Sequence, residues 1–145
     1  LNDDGVCIQH LGDKNSLPYK VREAIRHSEE STQDNHHVTL SVAFNYGGRA
    51  EIIEAVKTII KDSIPLSAIT EKVLEDRLYT SGIPDPDLII RTAGEKRLSN
   101  FLLWQSAYSE YYYTDVLWPE FGKSDVQKAI REYQSRKRKF GALES

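Results

Sequence analysis

Two arginines, a serine and two small residues stand close together in Arg91-Thr92-Ala93-Gly94-Glu95-Lys96-Arg97-Leu98-Ser99-Asn100. Guanidiniums are planar, permanently charged forks that suit phosphate oxygens. Ala93 and Gly94 are small enough for a ligand to approach the backbone. Arg91 leaves the end of the apolar run Leu88-Ile89-Ile90, which reads as a buried strand. A short helix is expected to begin near Ser99 and to carry Phe101 to Tyr108. Arg97 and Ser99 would then sit at a helix start, where free N–H groups favour an anion. The chemistry such a site suits is binding of a phosphate or diphosphate. On spacing alone a second reading stands beside it, with both arginines as surface salt-bridge partners of Glu95 and Asp87.

Other chemistry-bearing residues are less specific. Asn45-Tyr46-Gly47-Gly48-Arg49 is a second strand-to-helix turn, but neither a Walker loop nor a G-x-G-x-x-G fingerprint, and a purely structural role is favoured. Glu110 stands among Tyr108, Tyr111, Tyr112 and Tyr113. A carboxylate near a diphosphate site shares Mg²⁺ with the phosphates, because Mg²⁺ takes one or two carboxylates plus phosphate oxygens. Taken alone, Glu110 reads as a solvated glutamate at a strand start. His36 and His37 are adjacent in a polar loop and point apart. There is no C-x-x-C, H-E-x-x-H or G-x-S-x-G, which argues against a zinc site and a serine hydrolase.

The elements that must position these residues follow from the apolar pattern. Gly5 to Gly12 holds a short apolar strand, Pro18 to Glu30 a helix with Val21, Ala24 and Ile25 on one face, and Val38 to Phe44 a second strand. A helix from Arg49 to Asp62 should bury Ile52, Val56, Ile59 and Ile60, with Ile53 alongside. A shorter helix is expected over Thr70 to Thr80, then the strand Leu88 to Ile90, the short helix near Ser99 and a last strand over Tyr111 to Trp118. Ser124 and Gln127 have capping-box spacing for a final helix reaching Phe140. The order β-α-β-α-α-β-α-β-α predicts an α/β fold, a mostly parallel sheet with helices on both faces.

Composition bounds the function. With 145 residues there is room for one domain, and 39% apolar with 28% charged residues is a soluble globular composition. The net charge of −3 argues against a general nucleic-acid binder, since phosphate neutralisation needs a basic excess. No apolar stretch approaches a membrane span. One cysteine, Cys7, cannot form an internal disulfide. The chain has no methionine and starts at Leu1, so a preceding segment is expected, along with any targeting peptide it carried.

Taken together, Asn45-Tyr46-Gly47-Gly48-Arg49, the long motif from Asp87 through Arg91, Glu95, Arg97 and Ser99 to Trp104-Gln105, then Glu110 and Asp115-Val116-Leu117-Trp118-Pro119 resemble the cis-prenyltransferases. This is the family of undecaprenyl and dehydrodolichyl diphosphate synthases. The resemblance spans essentially the whole chain, and in detail it is closer to plant members than to bacterial ones. It implies a Rossmann-like fold and a Mg²⁺-dependent homodimeric transferase. Such an enzyme joins an isopentenyl-type diphosphate to an allylic diphosphate with a cis double bond, releasing diphosphate. Carried over by motif, Arg91, Arg97 and Ser99 would hold the homoallylic diphosphate, with Arg91 counted as catalytic. Glu110 would be a catalytic Mg²⁺ ligand, and Val38 would line the far end of a hydrophobic tunnel.

The departures from the family pattern matter as much. The family's opening Met-Asp-Gly-Asn-x-Arg segment, with its catalytic aspartate, is absent from these 145 residues. The chain is therefore expected to be the C-terminal portion (1-145) of a single domain, to lack N-terminal strands, and to be inactive alone. The family's Arg-x-Gly stands here as Lys139-Phe140-Gly141. Lys139 would reach a partner subunit's diphosphate, or the run from Arg136 to Lys139 would be a solvated helix end. The rival class is a non-catalytic partner subunit of a heteromeric enzyme, which usually loses the arginine-rich site kept here. Any membrane association would come through the product. The implied location is the plastid for a plant short-chain member, otherwise the cytoplasm or the cytoplasmic face of the endoplasmic reticulum.

Overall fold

A computed structural model describes residues 2–136. The chain divides into two compact units, Leu1–Ile83 and Pro84–Ser145. Both are built on a pair of parallel strands, so the fold is α/β as the pattern predicts, and Rossmann-like.

In the first unit β1 (Val6–Leu11) pairs in parallel with β2 (Val38–Ala43), in register from Val6↔Val38 to Leu11↔Ala43. Parallel neighbours need a crossover, and α1 (Tyr19–Thr32) supplies it. Pro18 precedes its first turn, with its carbonyl accepting the Val21 N–H at 3.0 Å. The helix also blunts a strand edge. Along a parallel strand alternate N–H groups point away from the paired neighbour, and an unpaired row of them invites aggregation. On β1 the Ile8 N–H donates to Thr32 Oγ1 at 2.9 Å and the His10 N–H to Glu29 Oε1 at 3.0 Å. Thr32 is buried for this purpose at the end of α1. Burial alone would raise the Glu29 carboxyl, but the Lys14 ammonium at 2.7 Å and the His10 N–H outweigh it and leave it below its ordinary range.

At the carboxyl ends of β1 and β2 the chain is cross-braced. Gly12 has φ +133°, and a Cβ there would lie 2.4 Å from the Phe44 carbonyl oxygen, so only glycine fits. Asn45, itself left-handed at φ 53°, donates through Nδ2 to Asp13 O and to Ser16 Oγ, each at 2.8 Å. The turn before the next helix is thus occupied by internal bonds.

That helix, α2 (Gly48–Lys61), corrects the expected apolar stripe. Its buried line is Gly48, Glu51, Ala55 and Ile59, while Ile53, Val56 and Ile60 are exposed. The wheel is centred on Ala55 because a carboxylate is accommodated inside. Glu51 is 1% exposed, accepts from the Tyr46 hydroxyl at 2.5 Å and from the Tyr79 N–H at 2.8 Å. The shorter helix is also shorter than expected: α3 covers only Glu71–Glu75, and turns continue to Thr80 with Leu78 buried. On β2, Val38, Leu40 and Val42 are exposed rather than covered.

In the second unit β3 (Leu88–Arg91) pairs in parallel with β4 (Glu110–Tyr113), from Leu88↔Glu110 to Arg91↔Tyr113. β4 is half the length expected from Tyr111 to Trp118. The helix expected between them is absent. Ser99, Asn100 and Leu102 have φ of 52°, 64° and 44°, and residues in the left-handed region cannot propagate a right-handed helix. The crossover from Phe101 to Tyr108 is a series of bends and turns. The last helix, α4, covers Lys123–Ser135. Its amino end is capped by Asp125, whose Oδ2 accepts the Gly122 N–H at 3.0 Å, rather than by the Ser124 and Gln127 pair. It stops at Ser135, where Arg136 turns extended. Lys139 and the Lys139-Phe140-Gly141 motif lie outside the described residues.

Glu51 generates a stability prediction. Glu51→Ala leaves the part-buried Tyr46 hydroxyl and Tyr79 N–H without this acceptor and should lower unfolding free energy by about 2–4 kcal/mol. Tyr46→Phe, which removes one donor and leaves the other bond intact, should cost less than half of that. Urea denaturation followed by circular dichroism measures both, and equal effects would contradict a shared acceptor.

Candidate anion site

The site grows out of the carboxyl end of β3. Arg91 is its last residue, with its side chain 30% exposed. The chain then reverses through Ala93 at φ 64° and Gly94 at φ 70°. Two backbone bonds fix this reversal: the Ala93 N–H donates to Val116 O and the Gly94 N–H to Thr114 O, each at 2.9 Å. The segment that follows β4 therefore holds the turn. A Cβ at Gly94 would approach Asp115 Oδ1 to 2.9 Å.

The reversal returns Glu95 to Arg91. Arg91 Nη2 donates to Glu95 Oε2 and Arg97 Nη2 donates to Glu95 Oε1, so each oxygen of one carboxylate holds one guanidinium. Arg91 Nη2 also faces Ser99 Oγ at 3.5 Å. The Arg91 hydrogen bond, with Arg97 adding its charge, holds the Glu95 carboxyl below the usual carboxylate range. Two permanent cations and a hydroxyl are thus gathered around one anion. Arg91 and Arg97 also line a cavity of about 200 Å³ whose other walls include Ile89, Leu98, Phe101 and Tyr113. A cationic rim over an apolar wall suits a ligand with a charged head and a short hydrocarbon body.

The structure brings Arg91, Arg97 and Ser99 together without the helix start expected for them. Convergence comes from the turn and from Glu95. The salt-bridge reading holds for Glu95, which pairs with both arginines, while Asp87 takes part in none of these bonds. Glu110 is placed differently. It opens β4 opposite Leu88, three residue steps or about 10 Å of strand from Arg91. Its Oε2 accepts from Arg136 Nη1 at 2.7 Å, and the same guanidinium reaches Tyr111 O at 2.9 Å and Glu132 Oε1 at 2.6 Å. Sequence reasoning missed this clamp because Arg136 read as one of four consecutive basic residues. The bonds to Glu110 and Glu132 raise the Arg136 pKa further.

Among the described residues no group of three or more His, Cys, Asp or Glu side chains could hold a metal ion. No helix there is long and apolar enough to cross a membrane. In the first unit, an apolar cavity of about 320 Å³ is lined by Ile8, Val21, Ala24, Ile25, Val42 and Phe44.

Residues 1–141 match the prenyltransferase family described as "Putative undecaprenyl diphosphate synthase". The chain is 49% identical to an isoprenyl transferase of Clostridium perfringens over 99% of its own length and 58% of the relative's. It is 47% identical to the tritrans,polycis-undecaprenyl-diphosphate synthase (geranylgeranyl-diphosphate specific) of Thermoplasma volcanium, over 94% of this chain and 54% of that one. It superposes on lavandulyl diphosphate synthase from Lavandula x intermedia, solved in complex with dimethylallyl diphosphate, with a TM-score of 0.89 and 38% identity. That match covers 94% of this chain and 61% of the other. The chain thus spans less than two thirds of the relatives it matches. The nearer likeness to plant members is not supported, since the microbial relatives reach higher identity than the lavender enzyme.

The turn that aims the arginines is testable through its backbone. Ala93 holds a left-handed conformation that costs an L-residue roughly 1–2 kcal/mol. Ala93→Gly removes that penalty against a smaller entropic loss and should raise stability by up to about 1 kcal/mol. Gly94→Ala adds the same penalty and crowds Asp115, and should lower stability by at least about 1 kcal/mol. Thermal unfolding of the two variants gives the signs, and Ala93→Gly destabilising the protein would contradict the conformation described.

Proposed function

This chain belongs to the undecaprenyl diphosphate synthase family of prenyltransferases, and from that premise we propose that its protein is a cis-prenyl chain transferase. It condenses an isopentenyl-type diphosphate with an allylic diphosphate and releases inorganic diphosphate. The observation that carries this reading is the convergence of Arg91 and Arg97 on one anion beside Ser99, over an apolar wall.

In the proposed reaction the double bond of the homoallylic substrate attacks the allylic carbon. The carbon–oxygen bond there breaks, diphosphate leaves with the electron pair, and a proton is lost from the isopentenyl unit to set the new double bond. This chain's part is to hold the homoallylic diphosphate. Two guanidiniums and the Ser99 hydroxyl fix the head of the substrate, and fixing it converts a bimolecular encounter into an oriented one. The apolar wall beside them, with Phe101, receives the five-carbon body. Val38 lies with Leu40 and Val42 on one face of β2, all exposed. This strip is the part of the chain proposed to meet the growing prenyl group.

Mg²⁺ belongs to the proposal as well. The donor chemistry of this chain fits a metal held mainly by substrate phosphates: Glu110 offers one hard carboxylate oxygen, Oε1, for which no partner is found among the described residues, while Oε2 is held by Arg136. When bound, Mg²⁺ would supply charge neutralisation of diphosphate oxygens. A homodimer is the proposed assembly, with Lys139 as the residue reaching a partner subunit's diphosphate.

Replacing either arginine should weaken homoallylic diphosphate binding. Arg91→Ala and Arg97→Ala are each expected to raise KM for isopentenyl diphosphate at least tenfold, with turnover also lowered. A charged hydrogen bond is worth about 1.5–3 kcal/mol. Because both act on one anion, the double variant should lose less than the sum of the two. Steady-state kinetics of the intact enzyme at saturating allylic diphosphate give the result, and an unchanged KM in both single variants would overturn the assignment.

A further inference from the structure

We propose that Glu95 is a resident counter-anion: its carboxylate occupies the arginine pair until the substrate's diphosphate displaces it. The inference rests on the reading of Arg91 and Arg97 as the diphosphate site and adds a competitor built into the same loop.

The geometry is that of a stand-in. Each carboxylate oxygen accepts from one guanidinium, the arrangement two oxygens of a phosphate would take. Glu95 needs no helix to reach Arg91. The left-handed pair Ala93 and Gly94, pinned by Thr114 O and Val116 O, delivers it there. With that backbone pinned, release is a rotation of the Glu95 side chain and leaves the turn in place. The ion pairs are open to water, with side-chain exposures of 36% for Glu95 and 64% for Arg97. Exposed pairs of this kind are weak, so a more highly charged anion can replace the carboxylate. Neither guanidinium is sealed in, and the cavity they line adjoins them.

Two opposite functions could be served by such a contact. A positioning carboxylate would stay bound to the arginines and hold them ready, and its loss would weaken ligand binding. A counter-anion must leave, and while present it repels the incoming phosphates, so its loss strengthens binding. The match between one carboxylate oxygen and each guanidinium favours the second. A ligand that needs both guanidiniums at once needs the positions Glu95 fills.

The test is calorimetric titration of the intact protein with inorganic pyrophosphate, in metal-free buffer, for the wild type, Glu95→Gln, Glu95→Asp and Arg91→Ala. Glu95→Gln should bind pyrophosphate three- to tenfold more tightly than wild type. Glu95→Asp, whose carboxylate reaches one methylene less far and so cannot hold both arginines, should also bind more tightly, and serves if the glutamine variant does not fold. Unchanged or weaker binding in the folded Glu95 variants overturns the counter-anion. Arg91→Ala isolates the underlying reading. If it binds pyrophosphate as wild type does, the anion site itself is misassigned. If it loses binding while the Glu95 variants do not gain, only the displacement is wrong.

Discussion

Two guanidiniums repel each other, and the Arg91–Arg97 pair holds together because a carboxylate lies where both can reach it. Between the limits of bulk water and a protein surface, two like charges about 4 Å apart repel by roughly 1–4 kcal/mol. An anion is therefore required at this point, and Glu95 provides one. Every other feature of the site follows from delivering that carboxylate to the right place. Ala93 and Gly94 reverse the chain in left-handed conformations, and the backbone after β4 holds the reversal. The parallel pairing of β3 with β4 aligns the two segments that make those bonds.

The first unit solves a different problem by similar means. It carries Glu51 and Thr32 into the interior and gives each a specific partner. Glu51 is accepted into the buried line of α2 because a hydroxyl and a backbone N–H meet it. Glu29 and Thr32 take the outward N–H groups of β1, which turns a bare strand edge into a capped one. Buried carboxylates and hydroxyls are tolerable only when paired in this way, and here they fix the register of helix against strand.

The strands and the three long helices were legible from the chain because short apolar runs and helical periodicity are local signals. So was the gathering of Arg91, Arg97 and Ser99, since all three lie within nine residues of one strand end. What was not legible depends on backbone conformation and on distant partners. The apolar cluster Phe101-Leu102-Leu103-Trp104 has the composition of a helix, yet Ser99, Asn100 and Leu102 are left-handed, and only the Asn hints at it. The α2 stripe was misread because a glutamate looks like a solvent residue unless Tyr46 and Tyr79 are known to meet it. Arg136 looked like one of four solvated cations. Its clamp on Glu110 depends on the place where α4 stops and on its packing beside β4. The separation of Glu110 from Arg91 is likewise a matter of strand register, which no spacing in the sequence encodes.

The Arg91–Arg97–Ser99 cluster is the proposed binding site of the homoallylic diphosphate. The most direct measurement is a crystal structure of the intact protein soaked with isopentenyl diphosphate. Diphosphate oxygens are expected within about 3.2 Å of both guanidiniums and of the Ser99 hydroxyl, with the hydrocarbon body against Phe101. Diphosphate density elsewhere, with Arg91 and Arg97 still closed on Glu95, would contradict it.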